Sequence, residues 1–421
     1  MGQFKKIKKT AHYGYYLALL GALFYFYQYL LRVSPSSVRS DLMNRFDIGA
    51  SLVSALSIFY FYAYTPMQLV AGILVDRLNL RTILASAVFL CALGTLLIGI
   101  TDQYVIAALG RFLQGLGSAF AFVGTLKAIS QNFPANRFSS ILGLCTSMGF
   151  LGALAGLFLL PRLSSYFSLA FAMSLLAFFG CLLAVSFIYI RAPKASIRKN
   201  LSLPMDQYLL KFCHMLKRWD LWLIAIISAF MYTPTLALSS QWGAPYLQAF
   251  RHYNAHQAST AAYMIFAGWA LGSSLCGFLS DYWNMRLWLI TLGAFLAALL
   301  SFVLLYAPLI SYPWALILSI FLGIFASSQI LIFSIARDLA SPFLMGLLFG
   351  LINAITMLGG SLFQLIVNTF LDDGWQGNYD PNVFSLVSPI HNYQLIMTAI
   401  PLAFLISAVL SLFTFMKTKI R

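Results

Sequence analysis

Long, uninterrupted apolar stretches recur along this chain, each of a length that crosses a bilayer as one helix. They fall at 13–35, 51–75, 82–101, 104–130, 138–162, 167–190, 220–247, 258–280, 286–308, 311–337, 342–370 and 393–416. A hydrocarbon core needs about 20 apolar residues per helical crossing. Inside it the backbone must satisfy its own hydrogen bonds, which leaves helices or closed barrels. The apolar runs are continuous rather than alternating, so a strand barrel is excluded. The expected fold is an all-α membrane protein with twelve transmembrane helices. Composition agrees: of 421 residues, 61% are hydrophobic and 9% charged, whereas soluble domains carry about 25% charged residues.

Charge is lopsided. There are 26 Lys+Arg against 11 acids, a net charge of +15, and every acid is an aspartate. A basic balance points to nucleic acid only where a solvated basic face exists, and a mean hydropathy of +0.84 leaves none; no nucleic-acid partner is expected. The cations gather on one side of the spans. Lys5, Lys6, Lys8 and Lys9 precede the first span, and Lys417, Lys419 and Arg421 follow the last. Even-numbered loops add Arg77, Arg81, Arg137, Arg286 and Arg337, and the central loop is basic throughout. The other side holds Arg39, Arg45, Arg162 and Arg251. The positive-inside rule then places both termini in the cytoplasm. Short outer loops without a usable sequon fit a bacterial inner membrane, because Asn200-Leu201-Ser202 falls on the cytoplasmic side. The basic start runs into a span too long for a cleavable signal. Four of the five cysteines lie in spans and Cys213 in the central loop, which gives no disulfide or metal framework. His252 and His256 have the spacing of a metal pair but lack a third ligand, so neither metal nor cofactor is expected.

The longest basic loop divides the chain into 1–190, a linker 191–219, and 220–421, with six spans in each half. Within the linker, Leu209, Leu210, Phe212, Cys213 and Leu216 alternate with Lys211, Lys217 and Arg218, the pattern of an amphipathic helix at the membrane interface. Gly72-Ile-Leu-Val-Asp76-Arg77-Leu-Asn79-Leu80-Arg81 closes span 2. Gly277-Phe-Leu-Ser-Asp281-Tyr-Trp-Asn284-Met-Arg286 closes span 8 at the same spacing, as two parallel repeats would. With Arg111-Phe-Leu-Gln114-Gly115-Leu-Gly117 in span 4, these segments resemble the signatures of the major facilitator superfamily. Asn79 stands where a glycine is usual there, and Leu80 where a basic residue is usual. The resemblance implies two pseudo-symmetric six-helix bundles, a monomer, and alternating access around a site near the midplane. It also makes Gly72, Asp76, Arg77, Arg81, Asp281 and Arg286 a conformational latch. In that latch Asp76 sits beside the start of span 11, where Ser341-Pro342 reads as an N-cap and first-turn proline. Arg77 and Arg81 then bridge to Asp76.

Ionisable groups at membrane depth are functional candidates by default. At 100° per residue, Gly21, Tyr25, Gln28, Arg32, Ser36 and Arg39 share one face of span 1. The stretch from Tyr29 to Ser34 around Arg32 is similar to the span-1 arginine motif of organic-anion members of the superfamily. The competing reading has Arg32 snorkel to the outer interface. Arg111 reads equally as a cavity or a structural arginine. Lys127 points to nearly the opposite side of span 4, close to its cytoplasmic end, and reads as a snorkelling cation. Softer stripes add Tyr60, Tyr64 and Gln68 in span 2, then Tyr232, Thr235, Ser239, Trp242 and Tyr246 in span 7. Span 11 adds Asn353, Gly360 and Gln364. Aromatic stripes also serve as packing.

No aspartate lies in a span interior, so a cavity lined by these residues is net positive and favours an anion. Organic-anion symporters of the superfamily often pair the span-1 arginine with an Asp and carry a Glu in span 4. Leu31 and Ser118 occupy those neighbourhoods here, which counts against proton coupling through a buried carboxylate. The leading expectation is a secondary active or facilitative transporter that takes up a small organic anion or carboxylate-bearing metabolite, with or without a co-transported proton. The alternatives are a proton-coupled carrier of a zwitterion such as an amino acid or short peptide, and a receptor that binds without transporting. No His/Asp/Glu cluster, phosphate-binding loop or Ser-His-Asp set supports an enzyme.

Overall fold

The computed structural model describes residues 2–190, 204–308, 310–372 and 390–419. The linker stretch 191–203, with its sequon, lies outside the described residues. Among those described, 12 helices are long and apolar enough to cross a membrane, and no strand is present. They are Tyr13–Ser37, Ser51–Arg77, Leu80–Ile100, Tyr104–Asn132, Ala135–Tyr166, Leu169–Tyr189, Trp219–Ser240, Ala255–Trp283, Arg286–Tyr306, Tyr312–Leu339, Met345–Phe363 and Gln394–Met416, numbered spans 1 to 12. A short helix, Arg39–Phe46, follows span 1, and the linker helix is Met205–Leu216.

Two spans depart from the sequence reading. Span 7 was expected to run unbroken to 247. It ends instead in a π-helical turn, Ala237–Gln241, where the Trp242 N–H closes on the Ala237 carbonyl at 2.7 Å, and a separate helix Gly243–Arg251 follows. Pro234 lacks an N–H and disturbs the ladder just before this point, and π turns absorb such irregularities. Span 11 starts at Met345, not at 342, because Ser341 and Pro342 belong to the preceding turn, closed by Leu344 N–H to the Ser341 carbonyl at 2.9 Å. Span 10 also carries a 3₁₀ turn at Ser327–Ile330.

The chain divides into two compact units, Met1–Arg218 with Phe333–Ala354, and Trp219–Ile332 with Ile355–Arg421. The first therefore holds spans 1–6, the linker helix, the end of span 10 and the beginning of span 11. Within it, span 5 lies directly on span 1, since a Cβ added at Gly152 would stand 2.1 Å from the Phe26 carbonyl oxygen. Small residues at such a crossing let two backbones touch. This contact fixes the helix that carries Tyr25, Gln28, Tyr29 and Arg32.

Candidate functional site

In the first unit the Arg32 guanidinium carbon lies 5.0 Å from the Phe61 ring centre, 5.4 Å from Tyr29 and 5.8 Å from Tyr64. Arg32 is buried, 8% exposed. A guanidinium over ring faces gains from their quadrupoles, and more so when desolvated. The rings are themselves held. Tyr64 stacks on Tyr60 at 5.5 Å, and the Tyr60 hydroxyl accepts the Gln28 Nε2–H at 2.7 Å. The Tyr25 hydroxyl donates to that of Tyr29 at 3.3 Å, and the Tyr25 ring stacks on Phe122 of span 4 at 5.1 Å. Spans 1 and 2 thus bring Tyr25, Gln28, Tyr29, Arg32 and Tyr60 together. Phe122 and Phe61 complete the arrangement, and the sequence reading had passed over Phe61.

Arg111 does something different. Pro35 has no N–H to offer the Leu31 carbonyl, four residues back in span 1. Arg111 Nη1 donates to that carbonyl at 2.8 Å and to Gln114 Oε1 at 2.6 Å, while its Nε donates to the Leu56 carbonyl at 3.3 Å. Its guanidinium also lies 4.8 Å from the Tyr60 ring centre. Span 4 is in this way tied to the backbones of spans 1 and 2, one residue from Arg32. Charged hydrogen bonds are each worth about 1.5–3 kcal/mol. Arg111→Met should therefore cost about 2–4 kcal/mol of stability in detergent unfolding.

At the other end of span 2 the Asp76 side chain is wholly buried. Its Oδ1 accepts from Lys127 Nζ at 2.5 Å and from the Gly346 N–H at 2.9 Å. Its Oδ2 accepts from the Leu347 N–H at 3.0 Å and the Tyr208 hydroxyl at 3.1 Å. The first turn of span 11 has N–H groups without intrahelical partners, and Asp76 caps them from another helix, where its charge also meets the helix dipole. This replaces the expected cap at Ser341-Pro342. Lys127 does not snorkel. Its side chain is 3% exposed, pairs with Asp76, and donates to the Pro342 carbonyl at 3.2 Å.

Arg77 and Arg81, expected to bridge to Asp76, turn elsewhere, Arg77 to the linker helix and Arg81 to the end of span 6. Arg77 Nη1 donates to the Met205 sulfur at 2.9 Å and its guanidinium lies 5.6 Å from the Tyr208 ring centre, while Arg81 donates to the Ile190 carbonyl. Burial, together with the Asp76 charge, pushes the Tyr208 phenol well above its ordinary pKa, so it stays a donor across the physiological range. The linker helix buries Tyr208 and Met215, and Tyr208 reaches this cluster through its hydroxyl. Spans 2 and 11 touch here: a Cβ at Gly72 would lie 2.6 Å from the Gly346 carbonyl oxygen, and one at Gly350 would lie 2.4 Å from that of Gln68.

The remaining candidates are dispersed. Asn353 is buried in the first unit. In the second unit Tyr232 stands edge-on to Trp269 at 5.8 Å. Trp242 follows the π turn, so the continuous span-7 stripe expected to join it to Tyr232 is broken. Asp281 and Arg286 stand on either side of Asn284, which ends span 8 in a left-handed conformation (φ 54°). The Gln364 side chain lies outside the described residues. A buried polar cluster that the sequence reading missed joins Ser228 to Thr356 at 2.7 Å and to Gln329 at 2.5 Å.

The family model of the Major Facilitator Superfamily matches residues 17–364. This chain belongs to the major facilitator superfamily. It is thus a multi-pass membrane transporter and not an enzyme, and transporters of this superfamily bind small-molecule substrates, often with protons. Its fold is similar to that of the Major Facilitator Superfamily transporter FucP, a structure solved in the outward conformation, at 17% identity and a TM-score of 0.71, covering 94% of this chain and 98% of that one. A second structure, of the E. coli fucose:proton symporter FucP, gives 16% and 0.70 at the same coverage. Among curated relatives, the uncharacterized transporter YybO of Bacillus subtilis is 27% identical over 152 residues, 33% of this chain and 35% of that protein. The probable galactarate/D-glucarate transporter GudP of Pseudomonas putida is 28% identical over 115 residues, 26% of this chain and 25% of that protein. The matches thus span about a third or less of these curated relatives.

Proposed function

We propose that this superfamily member imports a small organic anion, or a metabolite bearing a carboxylate, across the bacterial inner membrane with both its termini in the cytoplasm. The observation that carries the reading is Arg32, buried against Phe61, Tyr29 and Tyr64. A guanidinium presents paired donors that match a carboxylate. The chain has no glutamate, and the buried aspartate of span 2, Asp76, is engaged by Lys127 and the first turn of span 11. Anionic substrates also fit the Pseudomonas relative, whose name gives galactarate and D-glucarate, both carboxylates. Arg111 is a positioning residue in this reading, holding the backbone beside Arg32.

Asp76, Lys127 and the start of span 11 form the cytoplasmic latch. Turnover requires that the span 11 N-terminus leave and regain its cap on Asp76, so transport depends on a bond that is strong but reversible.

The reading is tested by ligand-dependent unfolding of the purified protein. Galactarate and D-glucarate should raise the unfolding temperature, the uncharged polyol galactitol should not, and Arg32→Gln should remove the response. Equal stabilisation by galactitol, or an undiminished response in Arg32→Gln, would contradict it.

A further inference from the structure

Gln68 is completely buried in span 2, and neither its Oε1 nor its Nε2 has a hydrogen-bond partner among the described residues. An amide desolvated without partners is costly at both atoms, and native interiors hold few such groups without an occupant. Its place is specific. Tyr60, Tyr64, Gln68, Gly72 and Asp76 follow one another at four-residue spacing, each step turning about 40°, so this row winds around span 2 from the Arg32 cage to the latch with Gln68 at its middle. Gln68 lies one turn, about 6 Å of helix rise, beyond Tyr64, whose ring faces Arg32.

Across from it, Gly346, Gly350 and Asn353 share a face of span 11, and Gly350 rests on the Gln68 carbonyl. The Nδ2 of Asn353, also buried, likewise has no partner among the described residues. Gln28 spends its Nε2 on Tyr60 and leaves Oε1 unmet. The unmet set therefore mixes donors (Gln68 Nε2, Asn353 Nδ2) with acceptors (Gln68 Oε1, Gln28 Oε1). A second carboxylate would use only the donors and an ammonium only the acceptors. A hydroxyl group, being both donor and acceptor, uses both.

We infer that Gln68, with Asn353, is a specificity-determining contact for hydroxyl groups on the body of the anion, so that the substrate is a hydroxylated carboxylate and not a plain carboxylic or dicarboxylic acid. This rests on the anion reading at Arg32. A site built around buried hydrogen-bonding groups rejects the analogue that leaves them unpaired.

Dissociation constants of the full-length protein for galactarate and for adipate, the same six-carbon diacid without hydroxyls, test the inference. Wild type should prefer galactarate by at least about tenfold. Gln68→Leu and, independently, Asn353→Leu should bring the ratio to within about threefold, and Gln68→Asn should restore part of it. Equal affinity in wild type overturns the inference, and so does a ratio unchanged in folded Gln68→Leu, which would mean that ordered water satisfies the amide. Arg32→Gln separates the two claims, because loss of both diacids in that variant upholds the anion reading whatever the ratio. If galactarate, adipate and gluconate all fail to bind wild type, both claims fall together.

Discussion

Lys127→Met should destabilise the protein by about 3–5 kcal/mol and stop transport, the effect expected when one partner of a buried ion pair is removed. Asp76 and Lys127 have side chains 0% and 3% exposed, so water cannot take over for the missing ammonium. Tyr208 and two backbone N–H groups would remain on the carboxylate, but all three are neutral. Against a typical stability of 5–15 kcal/mol the loss is large. Adding Asp76→Asn should recover part of it. The double variant should lose less than the sum of the singles by about 1–3 kcal/mol, since the two residues share one network. Chemical unfolding of all four proteins in detergent measures this. Strictly additive losses would mean that the pair is not coupled and that Lys127 matters for packing alone. Salt should change the coupling little, since a buried pair is poorly screened.

Transport should suffer in the same variants for a related reason. Asp76 is the cap of span 11, so an unpaired carboxylate there alters the energy of the helix end that the proposed latch requires to separate from span 2. Asp76→Asn keeps one acceptor for two N–H donors and should retain more transport than Lys127→Met if reversibility of the cap is what matters.

Much of this architecture is written locally. A span announces itself by about 20 apolar residues, and the observed helices overlap all twelve of the expected ones because a continuously apolar segment in lipid satisfies its backbone as a helix. The position of Asp76 beside span 11 was also legible, through the residues around it at the end of span 2. Its cation was not. Lys127 is 51 residues away on another helix, and nothing in the periodicity of span 4 distinguishes a cation that reaches the interface from one that finds a buried carboxylate. The cap on span 11 was hidden for the same reason: local sequence offers Ser341-Pro342, whereas the acceptor comes across space. Around Arg32, the residues of its own helix could be read from 100° spacing. Phe61 could not, because an apolar ring that lines a site carries no mark separating it from one that packs. The break in span 7 had a visible cause in Pro234, but a proline inside a membrane helix is tolerated often enough that its consequence depends on its neighbours.

The second large effect is expected at Arg32. Arg32→Gln retains hydrogen-bonding capacity and most of the side-chain volume but removes the charge and the paired donors. A charge-assisted contact to a desolvated carboxylate is worth roughly twice a neutral one, and each 1.4 kcal/mol is a factor of ten. A decline of about 100-fold in anion transport is expected on that basis. Arg32→Lys should fall between the two, because an ammonium keeps the charge without the fork.

Uptake of radiolabelled D-glucarate into proteoliposomes, with wild type and Arg32→Gln reconstituted at equal amounts of folded protein, tests the central claim most directly. The account predicts rapid entry through wild type, no acceleration over empty liposomes for labelled galactitol, and an approximately 100-fold slower rate for D-glucarate in the variant. Wild-type entry of D-glucarate through Arg32→Gln would contradict it.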